Sequence, residues 1–190
     1  MKLSLTLLGL IIACQSILAE PFKAGYYFDK DGKKIEGLIK FRRATFSAFG
    51  SKASSILFEE SEDAKPVKLT ANDISSFVIG NDSFTIVYNI KVNSVQGEYS
   101  KDFAKVVITG PMNLYVHMSS SFDGRNDYDI DSYVFSKDNK TYLAIWNVKK
   151  QREELADFFA ANADLKARIL NKEFDKKLPE LVKEYNGKTN

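Results

Sequence analysis

His117 is the only histidine in the chain, so any imidazole-based acid–base chemistry must pass through it. Paired with a serine and backed by a carboxylate it would make a weak hydrolase of the Ser-His-Asp kind, and Ser119, Ser120 and Ser121 follow closely. No G-x-S-x-G elbow accompanies them, and the simpler reading is a strand histidine. A second set is Asp127, Asp129 and Asp131, with Asp123 upstream. Alternate spacing on a strand puts the three carboxylates on one face, where they repel unless a cation or a basic side chain sits among them. The row could open a calcium site with Asp138 as its closing acid. Against that, Ser132 stands where the loop glycine belongs and Tyr133-Val134-Phe135 reads as strand. A charged edge strand that discourages edge pairing is the competing reading, and a glycosidase pair of acids is a third. Tyr26, Tyr27, Tyr115, Tyr128, Tyr133, Tyr142 and Trp146 could line a cleft for a sugar or a lipid, or could simply pack a sheet.

Charge and cysteine usage exclude several classes. Phe41, Phe46 and Phe49 stand among Lys40, Arg42, Arg43 and Lys52, a mixture that can stack bases. Yet 27 Lys and Arg against 25 Asp and Glu leave too little basic excess for a nucleic-acid surface. Cys14 is the sole cysteine, so the chain offers no internal disulfide and no zinc-thiolate site. Met1-Lys2 followed by the apolar run Leu3 to Ala13 reads as a signal peptide, because that run is too short to span a bilayer. Two cleavages fit it. Ile17-Leu18-Ala19 before Glu20 suits an ordinary signal peptidase, which the longer polar c-region favours, and residues 1–19 are then removed. Ile11-Ile12-Ala13-Cys14 suits a lipobox, with Cys14 lipidated and the protein anchored in the outer membrane. Membrane attachment is expected only in that second case.

The elements that must position these residues alternate strands with turns. Ala24 to Phe28 and Lys34 to Phe41 flank an Asp31-Gly32 turn. Further β-type runs cover Ser54 to Glu59, Val67 to Leu69, Ile74 to Ile79, Ser83 to Val92, Lys105 to Thr109, Asn113 to Met118, Tyr128 to Ser136 and Thr141 to Trp146. Turn chemistry recurs between them. The polar stretches Asn93 to Asp102 and Ser119 to Asp127 read as loops, the second as a mobile functional one. From Asn147 the apolar period becomes helical, and Leu165, Ile169, Leu178, Leu181 and Val182 form a stripe interrupted by Pro179. The expected fold is therefore α+β: an antiparallel β-sandwich or incomplete barrel of short strands over residues 20–147. A helical tail, residues 148–190, follows and packs on it within one globular unit.

Three short signatures recur in a known group: Gly25-Tyr26 with Gly32 and Gly37-Leu38-Ile39, then Gly110-Pro111-Met112-Asn113-Leu114-Tyr115, then Leu178 through Tyr185-Asn186. With them the mature chain resembles uncharacterised secreted proteins of Bacteroidetes-type Gram-negative bacteria. The resemblance implies export and the β-then-α order, and carries no activity and no site residues. Taken together, the expectation is a periplasmic or secreted envelope protein with a non-catalytic binding or structural accessory role. Its partner would be another envelope protein met through the C-terminal helices. The alternatives are a carrier of a small apolar ligand and a weak hydrolase using His117.

Overall fold

The computed structural model describes residues 21–47, 50–92, 97–122 and 127–189; the expected signal peptide, Cys14 and Asp123 lie outside them. Among the described residues the chain forms twelve strands followed by three helices. The strands are β1 (Lys23–Asp29), β2 (Lys34–Arg42), β3 (Ala44–Ser47), β4 (Gly50–Lys52), β5 (Ser55–Glu59), β6 (Val67–Leu69), β7 (Ile74–Ile79), β8 (Asp82–Lys91), β9 (Glu98–Ile108), β10 (Asn113–Phe122), β11 (Asp127–Ser136) and β12 (Tyr142–Ile145). The helices are α1 (Arg152–Phe158), α2 (Ala163–Leu170) and α3 (Leu178–Thr189). This is the α+β architecture expected: a curled, sheet-dominated half-barrel with a helical layer at its C-terminal end.

The sheet runs β12-β11-β10-β9-β8-β7-β1-β2-β5-β6, and its strands approach closely at two glycines. Gly25 in β1 and Gly37 in β2 face each other across the hairpin. A Cβ on Gly25 would fall 2.2 Å from the Val78 carbonyl oxygen, and one on Gly37 would fall 2.4 Å from that of Glu59. No larger residue fits there. The coil wraps Ile39, Ile56, Phe77, Phe84 and Phe103 into one core, with Phe77 stacked on its cross-strand partner Phe84 at 4.5 Å.

One residue past β2 the chain leaves this end of the sheet, and β3 lies parallel to β10, Ala44 opposite Ser119 through Phe46 opposite Ser121. Strand β3 is off the main path and pairs with β10 and β4, not with β2, so the sheet stays open with β12 and β6 at its ends. Ser119 to Ser121, which the sequence assigns to a mobile loop, consequently belong to a strand paired on both sides. Ser119 is buried, and its hydroxyl donates to the Ile130 carbonyl at 2.6 Å. Residues 98–102 likewise extend β9 backward from where the apolar run begins.

The helical stripe folds back onto the sheet. Leu165, Ile169, Leu178, Leu181 and Val182 are buried with Met112, Leu114, Phe135 and Ile145. Pro179 sits in the first turn of α3, where its missing N–H costs no helical bond. Arg168 bridges Glu173 and Glu184, tying α2 to α3. The seating of α3 is set by Asn186, whose Oδ1 accepts from the Met112 N–H at 2.7 Å while its Nδ2 donates to the Met112 carbonyl at 3.0 Å. This side-chain amide completes a backbone pairing as a neighbouring strand would. Gly110 gives it room, since a Cβ there would lie 2.7 Å from Asn186 Nδ2. The central Gly110 to Asn113 motif and the terminal Tyr185-Asn186 motif are thus two halves of one contact.

Asn186→Ala strands both polar groups of the fully buried Met112. Urea denaturation is expected to show a loss of about 1–3 kcal/mol, and a midpoint equal to wild type would refute the clamp.

Candidate functional site

The acid–base residues meet in the interior. Asp102 on β9 and His117 on β10 are both fully buried, with Asp102 Oδ2 2.8 Å from His117 Nε2. The carboxylate also accepts from the Phe103 N–H at 2.8 Å, from the Ser54 N–H at 3.0 Å and from the Ser54 hydroxyl. Oδ1 accepts from all three of these donors, which leaves Oδ2 as the oxygen facing His117 Nε2. Nδ1, with no hydrogen-bond partner among the described residues, faces a site sealed from water. The chain of bonds runs serine to carboxylate to imidazole. Ser54 therefore gives its proton to Asp102 and not to a basic ring, and Ser119 is occupied by Ile130, so this geometry activates neither hydroxyl as a nucleophile.

The acidic row is also distributed. Asp129 and Asp131 share one face of β11 and grip the guanidinium of Arg43, Nη2 at 3.4 Å and Nη1 at 2.8 Å. Arg43 is the single residue between β2 and β3, so it is the basic side chain that relieves their repulsion. Asp127 opens β11, and its side chain is outside the described residues. Asp138 caps its own turn by accepting from the Lys140 and Thr141 N–H groups, which hold its carboxyl below the usual range. Among the described residues no three His, Cys, Asp or Glu side chains are grouped to hold a metal.

Among the surface depressions is a trough lined by residues of β8, β9, β10 and β12. Three of its tyrosines stand side by side, Tyr88 to Tyr142 at 6.0 Å and Tyr115 to Tyr142 at 6.4 Å between ring centres. Asn139 organises them from the β11–β12 turn, held at φ 55°, a left-handed conformation that asparagine tolerates. Its Oδ1 accepts from the Tyr115 hydroxyl at 2.8 Å and from Asn113 Nδ2 at 3.1 Å, and its carbonyl accepts from the Tyr142 hydroxyl at 2.8 Å. Burial pushes the Tyr115 phenol up. Burial first, then the neighbouring Tyr115, Tyr88 and Asp138, pushes Tyr142 up to about 12.

The larger depression here measures about 640 Å³. A second, of about 340 Å³, continues past Tyr142 to Trp146, Asn89, Gln151 and Glu154. Of the aromatics singled out in the sequence, Tyr115, Tyr142 and Trp146 gather here. Tyr27 packs on Phe58 and Tyr133 on the helical core, while Tyr26 carries the ammonium of Lys34. Sequence reasoning missed Tyr88 and Asn89. Asn89 is a polar break inside an apolar strand run, and its φ of 50° marks the same spot in the backbone.

Removing the hub is expected to be severe: Asp102→Ala leaves three buried donors and a buried imidazole unpaired, at about 3–5 kcal/mol in chemical denaturation. Ser54→Ala, which keeps the Ser54 N–H bond, is expected to cost about 1 kcal/mol. Equal losses for the two would refute a central carboxylate. For Tyr142 the folded state holds the proton more tightly than the unfolded chain. Its contribution to stability is full below pH of about 10 and is lost as pH rises toward about 12. Ultraviolet difference titration is expected to show a late tyrosinate step that Tyr142→Phe removes.

Compared with known protein families, with characterised proteins and with solved structures, the chain matches none.

Proposed function

We propose that the protein is exported to the cell envelope and works there as a non-catalytic binding protein, with the trough between β8, β10 and β12 as its binding surface. One observation carries this reading. The only histidine–carboxylate pair is sealed in the core with its serine bonded the wrong way round for nucleophilic attack. The solvent-facing side chains of the trough are instead Tyr88, Tyr142 and Asn139, with Asn139 hydrogen-bonded to Tyr142 and to the buried Tyr115 and Asn113 beneath. Recognition needs such preset groups in a concavity, whereas catalysis needs a reactive group in contact with substrate. The signal-like N-terminal run and the resemblance to secreted envelope proteins support the compartment.

The expected mature protein starts at Glu20, read by intact mass and N-terminal sequencing from its native host; a lipidated Cys14 would replace the free form with an anchored one. Binding is tested by comparing what the wild-type protein and a Tyr88→Ala/Trp146→Ala variant retain from solubilised envelope material. A component held by the wild type and released by the variant supports the reading. Identical retention counts against it.

A further inference from the structure

We infer that the protein has a second binding site, apart from the trough, which takes a single-chain anionic amphiphile such as a medium-chain fatty acid. The site is a cavity of about 310 Å³ beside Pro21, at the end of the core that β1, β2 and β7 share. It has no lining residue in common with either depression of the trough, so the two sites are independent.

The floor of the cavity is apolar, and strand register dictates why. Ile39 and Phe41 stand two apart on β2, so both side chains leave the face that packs the core. Ile79 and Phe84 reach the same core from β7 and β8, and Met118 packs against it from β10, a strand that neighbours neither β1 nor β2. All five line the cavity, where their hydrocarbon surface is covered best by another hydrocarbon. The volume lies near the lower end for small-molecule pockets, which suits one acyl chain and not the two of a membrane phospholipid.

Charge selects the head group. Lys23 stands opposite Ile39 in the β1–β2 ladder, so its side chain leaves the face that forms the floor, and it borders the cavity. Lys40 borders it too. The one acid among the lining residues, Asp82, is taken by Lys105 at 2.7 Å. Lys23 and Lys40 have no carboxylate partner among the described residues, so positive charge stays unbalanced beside an apolar floor. A purely polar anion would leave the floor uncovered, and a neutral apolar molecule would leave the ammonium groups unpaired. A carboxylate on a hydrocarbon chain answers both.

The test reads the two methionines that remain after either cleavage, Met112 and Met118. Met118 lines the cavity, whereas Met112 is sealed in the helical core. In the full mature protein, isotope-labelled at its methionine methyl groups, submicellar decanoate at neutral pH is expected to shift the Met118 resonance saturably and to leave Met112 in place. Met118→Leu assigns the signal. Affinity is expected to rise from hexanoate to octanoate to decanoate by up to about fourfold per added CH₂. Lys23→Gln is expected to weaken decanoate about threefold, and Lys23→Gln/Lys40→Gln more, while decanol binding stays unchanged. Tyr88→Ala/Trp146→Ala is expected to leave decanoate binding intact, so failure of the trough and failure of this site are told apart. A Met118 resonance that decanoate does not move overturns the inference, as does equal binding of decyltrimethylammonium. Association with phosphatidylglycerol vesicles without any response to decanoate also overturns it, by assigning the face to a membrane surface.

Discussion

A single carboxylate in the middle of the sheet constrains much of this fold. Burying Asp102 costs several kcal/mol unless its polar atoms find good partners, and here they are the neighbouring Phe103 N–H and two distant residues, Ser54 and His117. The segment most in need of that anchoring is the β3–β4 excursion. It leaves the sheet after β2, pairs with β10 over only three residue positions, and returns at Ser54. A ladder that short would fray by itself. The excursion is instead held by acids at both ends, since Arg43 at its exit is gripped by Asp129 and Asp131 and Ser54 at its return is gripped by Asp102. The excursion is therefore anchored at both ends by carboxylates, through ion pairs to Arg43 and through buried hydrogen bonds from Ser54.

Placing polar groups inside has a consequence for how the sequence reads. The inward positions of β9 and β10 include Asp102, His117 and Ser119, all without exposure. Polar residues at core positions look like loop, which is why the two strands run several residues beyond their apolar segments on opposite sides of the Gly110 turn. By contrast, the β1–β2 hairpin, the β11–β12 hairpin and the helical tail were legible, because turn residues and a period of 3.6 are local signals. Long-range partners were not. Arg43 and Asp131 are separated by 88 positions, and Met112 and Asn186 by 74. The acidic alternation of Asp129 and Asp131 was visible, and so was the need for a positive partner, but only the topology brings Arg43 to it. The gathering of Tyr88, Tyr115 and Tyr142 has the same origin, since three strands contribute one ring each.

The two sides of this arrangement divide their labour. One face of the β10–β12 end is covered by helices through Leu114, Phe135 and Ile145. Strand β12 should be a liability, because it is a four-residue edge with backbone groups open to another chain. Gln151, at the start of α1, blocks that edge. Its Oε1 accepts from the Trp146 and Asn147 N–H groups at 2.9 and 3.1 Å, and its Nε2 donates to the Ala144 carbonyl at 3.0 Å. The side chain that ends the sheet also lines the smaller depression and holds the backbone of Ala144 and Trp146. A binding surface on an unguarded edge strand would exchange ligands for strand pairing. Here the edge is filled from within the chain by Gln151.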